Sequence, residues 1–267
     1  MTTMSLMAGP CAVGGDSRAT QVVAPPQRTP IEWRRAWRAM KTLLDDPERT
    51  EQAFEVVAAL SGRDFEGTFQ RFLSHPDGQV LFAERPSLLA TLSDRERLLA
   101  LPAGSFGRAY AEFMEAAQLN AHGLVEAEQQ SEMAGRFDGI DPDREWFGDR
   151  IRDMHDLWHL LTGYGRDEAG EAANLAFSYA QIPYRGIGLI LFGILGRPHG
   201  GYVSWARYLY RAWRRGRRTS WLVAVPYERL LALPLDEVRT ALGIEPPHVA
   251  HPGGILVADC MSAAQAA

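Results

Sequence analysis

Residues 141–181 read DPDREWFGDRIRDMHDLWHLLTGYGRDEAGEAANLAFSYAQ. Asp141 and Pro142 suit the N-cap and first position of a helix. Phe147, Ile151, Met154, Trp158 and Leu161 then recur at intervals of three and four, which predicts a helix to about Leu161 with that stripe buried. Gly163 and Gly165 stop it. A second helix is expected from near Asp167 towards Gln181, ahead of Pro183, so the two segments form an antiparallel helical hairpin.

The same periodicity extends outward. Trp33, Trp37, Met40 and Leu44 fall at i, i+4, i+7 and i+11 and predict one inward helix face. Asp46 and Pro47 read as the start of a second helix with Ala53, Val57 and Leu60 inward. Ser93–Glu96 fits a capping box ahead of a short helix ending near Leu101 and Pro102. Phe106, Tyr110, Phe113 and Ala117 space as another helix. Period-2 alternation is nearly absent, and Trp221–Val225 (WLVAV) before Pro226 is the best strand candidate. The expected class is all-α: a single-domain helical bundle over 30–247 carrying the hairpin. Residues 1–29 lack apolar periodicity, hold two consecutive prolines and are expected to be disordered; 248–267 read as a C-terminal tail.

The chain has 267 residues, 46% hydrophobic and 23% charged, enough to build a substantial core. A formal charge of −5 argues against a general nucleic-acid binder, which needs a basic surface. Two cysteines, Cys11 and Cys260, lie near opposite ends and form neither a disulfide framework nor a CxxC knuckle, so a reducing compartment is expected. The longest apolar run, Gly186–Gly196, is about half the roughly 20 residues of a spanning helix. The N-terminus lacks the pattern of a secretory signal.

The hairpin also carries the chemistry. His155, Asp156 and His159 share one helix face, with His159 about 40° and Asp156 about 100° from His155. Folding the glycine turn brings Glu171 opposite them. Two imidazoles with one or two carboxylates suit Zn²⁺, and equally Fe²⁺ or another first-row ion. The zinc-peptidase motif HExxH places Glu where this chain has the shorter Asp156, which argues against a peptidase. Arg152, one turn earlier at about 60°, has two readings: a partner for a substrate carboxylate, or an i, i+4 ion pair with Asp156.

The pattern HDxxHx₁₁E formed by His155, Asp156, His159 and Glu171 resembles the metal motif of the ubiquinone (coenzyme Q) biosynthesis family, the fourth of the Coq proteins. Three ordered segments carry the resemblance: IRDMHDLWHLLTGYGRDEAGE (151–171), LPAGSFGRAYAEFM (101–114), and GRRTSWLVAVPYERL (216–230) with LGI at 242–244. Together they cover about residues 31–247. The resemblance implies an all-helical homodimer that binds polyprenylated lipid and sits peripherally on an anionic membrane with other ubiquinone biosynthesis proteins. The face would be that of the bacterial cytoplasm or the mitochondrial matrix. It further implies His155, Asp156, His159 and Glu171 as ligands of a divalent metal, Zn²⁺ by family, with Fe²⁺, Mn²⁺ or Co²⁺ open. The implied reaction replaces the ring C1 carboxylate of a polyprenyl-hydroxybenzoate by hydroxyl, with Arg152 and Asp156 as candidate catalytic residues. Family members carry Lys and Glu about four and seven positions beyond the ligand Glu, where this chain has Leu175 and Ser178.

Two further segments bear on lipid. The glycines among Ile187–Leu195 leave either a buried core helix or room for a prenyl tail. Arg207, Arg211, Arg214 and Arg218 form a basic stripe near Trp205, Tyr208, Tyr210 and Trp213, suited to anionic head groups or to plain solvation. A non-catalytic lipid-presenting scaffold is the competing reading of the whole chain; a metal-dependent lipid hydrolase is a third.

Overall fold

In the computed structural model the hairpin forms as the pattern predicts, with one interruption. The structure describes residues 30–46, 49–116, 141–198 and 201–256. The N-terminal segment 1–29, Pro47 and Ala117 lie outside the described residues. The hairpin's first arm is two helices, α8 (Pro142–Asp153) and α9 (His155–Thr162), joined through Met154. Met154 keeps helical dihedrals (φ −73°, ψ −16°), so the axis continues through it. Its other arm is α10 (Glu168–Gln181), capped by the Asp167 carboxylate accepting from the Ala169 and Gly170 amides. Phe147, Met154, Trp158 and Leu161 are buried and Ile151 is half-buried.

Around the hairpin run α1 (Trp33–Asp45), α2 (Thr50–Leu60), α3 (Gly62–Ser74), α4 (Pro76–Glu84), α5 (Leu88–Ser93), α6 (Arg95–Leu99) and α7 (Phe106–Ala116) before it. After it come α11 (Arg185–Leu195), α12 (Tyr202–Arg218) and the short α13 (Tyr227–Leu230), α14 (Leu235–Ala241) and α15 (Pro247–Ala250). The main core joins α3 to α10, α12 and the C-terminal turns. Arg150, fully buried, donates to both Glu228 oxygens (2.6 and 3.1 Å) and to the Val225 carbonyl (3.0 Å), which ties the C-terminal turns to α8. The Trp158 indole N–H donates to the Tyr227 hydroxyl at 2.9 Å across the same boundary.

Several expectations need correction. Trp33 and Trp37 are 61% and 68% exposed, and α1 instead packs with Arg35, Ala36, Ala39 and Met40. The small alanines let α1 lie close to its neighbours, a gain that two bulky indoles in the same seam would forfeit. The second helix runs from Thr50, with Arg49 as its N-cap position. The cap at the capping-box string is Asp94, whose carboxylate accepts from the Arg97 amide (3.1 Å), because Ser93 is still inside α5. WLVAV is no strand: Leu222–Ala224 is a buried 3₁₀ turn, with the Leu222 amide donating to the Gln181 side chain at 2.8 Å. Among the described residues no strand forms; Ser105 and Pro234 make one isolated bridge.

The glycines of α11 serve close packing and leave no groove at their own positions. A Cβ on Gly186 would stand 2.4 Å from Val57 Cα, and one on Gly193 would stand 2.1 Å from Met40 Cε. Phe192, in contrast, points out, at 75% exposure. No described helix is long and apolar enough to cross a membrane. Residues 248–256 lie beyond the expected domain end and pack on the fold, with Ala250 and His251 buried.

Candidate metal centre

Gly163, in the left-handed region (φ +74°), ends α9 and reverses the chain so that Glu171 returns over the two histidines. His155, His159 and Glu171 each offer a ligand atom, all within 4.8 Å of one another. Both imidazoles present Nε2 to the same oxygen, Glu171 Oε2, at 3.7 Å from His155 and 3.1 Å from His159. The far nitrogens are each backed by an acceptor: His155 Nδ1 by Asp156 Oδ1 at 3.3 Å, His159 Nδ1 by the Tyr164 carbonyl at 3.1 Å. A carbonyl only accepts, so His159 Nδ1 carries a hydrogen and Nε2 is the nitrogen turned to the carboxylate. Two acceptors 3.1 Å apart need a cation between or beside them, either a proton or a metal ion. The donor set, two Nε2 atoms and a carboxylate with outer partners orienting both rings, fits a first-row divalent ion.

Asp156 is buried and stands behind His155, outside that three-residue group. Its Oδ1 accepts from His155 and from Arg166. Arg166 also reaches Glu171 Oε1 through Nε at 3.0 Å, so one guanidinium spans both carboxylates of the site. The sequence reading did not single out Arg166; its place between the turn glycines and the Asp167 cap, with site acids on either side, was the signal. Arg152 is engaged elsewhere, with Asp149 (2.8 Å) and Asp153 (2.9 Å). The i, i+4 partner the helix offered, Asp156, is taken by Arg166 instead.

Charge follows this geometry. Burial disfavours the Glu171 carboxylate, yet the charge and hydrogen bond of His159, then His155 and Arg166, outweigh it and hold the group at about 2. Burial likewise opposes protonation of His155, but its bond to Asp156 and the charges of Glu171 and Asp156 raise it above the ordinary histidine value. Helix α7 walls the site. Phe113 stacks on His159 at 6.5 Å between ring centroids, and burial together with Asp156 and Asp153 pushes the Tyr110 hydroxyl up, keeping it protonated. One turn beyond Glu171 the Asn174 amide is fully buried, with neither its oxygen nor its nitrogen bonded to protein.

The basic helix α12 exposes Arg207 and Arg214, while Arg211 is half-buried and Arg218 pairs with Glu245 at 2.6 Å. Arg215 turns inward, fully buried. Trp205 and Tyr208 also face the core, leaving Tyr210 and half-buried Trp213 beside the stripe.

Comparison with known proteins places this arrangement. Residues 27–248 match the family described as coenzyme Q (ubiquinone) biosynthesis protein Coq4. The mitochondrial ubiquinone biosynthesis protein COQ4 of Yarrowia lipolytica is 28% identical over 186 residues, 67% of this chain and 65% of that protein. The Danio rerio homologue, also named mitochondrial, is 30% identical over 67% of this chain and 64% of its own length. The chain thus spans somewhat under two thirds of these curated relatives. A crystal structure from Nostoc punctiforme, described in terms of ubiquinone biosynthesis, shares the fold with a TM-score of 0.59 at 22% identity, covering 79% of this chain and 98% of that one. With more than three quarters of its length inside the matched region and an all-helical architecture to go with it, the chain belongs to the coenzyme Q (ubiquinone) biosynthesis protein Coq4 family.

Proposed function

We propose that this chain acts in ubiquinone biosynthesis as a metal-dependent enzyme that exchanges the C1 carboxylate of a polyprenyl-hydroxybenzoate for hydroxyl. The observation that carries the reading is the convergence of His155 Nε2, His159 Nε2 and Glu171 on one point, with both rings oriented from behind. These three residues would hold the ion, and Asp156 would orient His155. A divalent ion there supplies Lewis-acid polarisation of a ring oxygen and, if redox-active, a route for O₂ chemistry.

In the net reaction the ring C1–carboxylate bond breaks and CO₂ leaves, a C1–O bond forms with oxygen from water, and O₂ takes up the two electrons and two protons and leaves as H₂O₂. The chain's own residues bind and orient. Both arginines are held by two carboxylates, but Arg166 is 29% exposed along its side chain against 8% for Arg152 and lies over the site acids, so it is the guanidinium better placed for the carboxylate that is lost. Phe113 offers an aromatic wall for the ring.

The competing scaffold reading has its own support. Trp33 and Trp37 project from α1 beside exposed Arg34 and Arg38, an aromatic and basic face suited to an anionic membrane surface. Peripheral attachment by that face serves either reading, as do homodimerisation and contact with other ubiquinone biosynthesis proteins. The deciding experiment is release of labelled CO₂ from a ring-carboxyl-labelled precursor under O₂, with protein loaded in turn with Fe²⁺, Mn²⁺, Co²⁺ or Zn²⁺. Multiple turnovers that vanish in Glu171→Ala establish the enzyme and its metal. Stoichiometric lipid and metal binding without CO₂ release establishes the scaffold.

A further inference from the structure

We infer that His251, three residues past the end of the family-matched segment, is a positioning residue for His159 and acts on it through Tyr164. The inference rests on the reading of His155, His159 and Glu171 as metal ligands.

The Tyr164 carbonyl is the group that fixes which nitrogen of His159 faces Glu171. That carbonyl sits just after the left-handed Gly163, in a turn with little helical hydrogen bonding of its own to hold it. The restraint comes from behind. The Tyr164 side chain is 1% exposed, and its hydroxyl lies 2.8 Å from His251 Nε2, with the two rings edge to face at 5.5 Å. His251 is itself 1% exposed and packs on the Tyr208 ring at 4.8 Å. Arg215 closes the other side: its guanidinium lies over the Tyr164 ring at 5.3 Å, while Nη1 donates to the Thr162 carbonyl (2.6 Å) and Nε to the Glu245 carbonyl (2.8 Å). The turn is therefore gripped by α12 and by the segment 245–251, with His251 Nε2 hydrogen-bonded to the Tyr164 hydroxyl and Arg215 beside the same ring.

The proton positions along this path are consistent. Burial, then Arg215 and Arg211, depress His251 to about 4, so it is neutral at pH 7. Burial raises the Tyr164 phenol, so it keeps its hydrogen. The Tyr164 hydroxyl and His251 Nε2 share one hydrogen bond, and His159 Nδ1–H donates to the Tyr164 carbonyl: two hydrogen bonds joined through one residue, ending at a ligand nitrogen. Partners of this kind typically change metal affinity by about 10–100-fold when removed. His251 acts one residue further out, so the low end applies.

The test uses the full chain, Zn²⁺ affinity by chelator competition and the visible absorption spectrum of the Co²⁺-loaded protein. Tyr164→Phe, which keeps the ring and carbonyl, and His251→Leu should each weaken Zn²⁺ binding about tenfold. Each should also alter the Co²⁺ bands, and the double variant should be little worse than either single one. His251→Gln, whose amide can accept the Tyr164 hydrogen, should restore most of the affinity and the wild-type spectrum. Arg35→Met, which breaks the buried Arg35–Glu55 pair between α1 and α2, controls for destabilisation and should leave both readouts unchanged. Wild-type affinity and spectrum in Tyr164→Phe and His251→Leu would overturn the inference while the metal site stands. A wild-type chain that takes up neither ion would overturn the site itself, and the inference with it.

Discussion

Glu171→Gln removes the charge that holds the two histidines together, and its cost can be worked from the site. The carboxyl sits at about 2 in the fold against an ordinary 4.5, which before screening corresponds to about 3 kcal/mol. Its side chain is 36% exposed, so solvent screening cuts the usable part to about 1 kcal/mol. Because the folded value is depressed, that stability is fully present above pH 4.5 and is lost as the pH falls towards 2. Urea denaturation of the metal-free chain should show Glu171→Gln about 1 kcal/mol less stable at pH 7, with less than half of that gap left at pH 3. His155 has the opposite sign. Its folded value is raised, so its contribution is complete below pH 6.5 and fades as the pH rises through the raised value. Metal-free wild type is therefore steadiest between about pH 4.5 and 6.5, whereas metal affinity should climb with pH above that window as the Nε2 proton of His155 is lost. An equal Glu171→Gln gap at pH 7 and pH 3 would refute the electrostatic account and make the loss one of packing.

Other perturbations test the frame around the site. Arg166→Met removes a cation that competes for Glu171, so Zn²⁺ should bind about threefold more tightly by chelator competition while CO₂ release falls; weaker binding would mean that Arg166 chiefly holds the carboxylates in place. Gly186→Ala drives a methyl against the backbone of Val57 and should cost about 3 kcal/mol in urea denaturation at pH 7; a loss under about 1 kcal/mol would show that α2 and α11 part easily. Asn174→Leu replaces a buried amide that has no protein partner and should stabilise the chain by about 1 kcal/mol, read as a rise in thermal midpoint; a fall would show that the amide is satisfied by solvent or ligand.

Local rules carried the sequence reading where a feature depends on neighbours along the chain. The hairpin, the helix start near Asp167 and the shared face of His155 and His159 follow from a 3.6-residue period and a glycine reversal. The same rules failed wherever two helices compete for one seam. The α1 pattern has two overlapping stripes, Trp33–Trp37–Met40–Leu44 and Ala36–Ala39–Met40, and hydrophobicity favours the first. Close approach to α2 and α11 selects the second: Ala39 and Met40 cluster with Val56 and Ile190, and Met40 Cε lies within 2.1 Å of where a Cβ on Gly193 would stand. WLVAV looked like a strand because a run buried on every side has no periodicity to betray its conformation.

What the sequence determined by itself is the class of the fold and the chemical kind of the site: helices from periodicity, and two imidazoles with a carboxylate from types and spacing across one turn. What only the tertiary structure decided is which nitrogen each histidine presents, which arginine serves the site, and what braces the turn. The spacing pointed to Arg152 alone; packing gave Arg152 to Asp149 and Asp153 and placed Arg166 over Asp156 and Glu171. His251 lies 87 residues from Tyr164, and no spacing rule reaches that far. The physical reason is range: a helix repeat constrains neighbours within a turn or two, while proton placement and ion pairing depend on whichever distant groups the folded chain brings within hydrogen-bond distance.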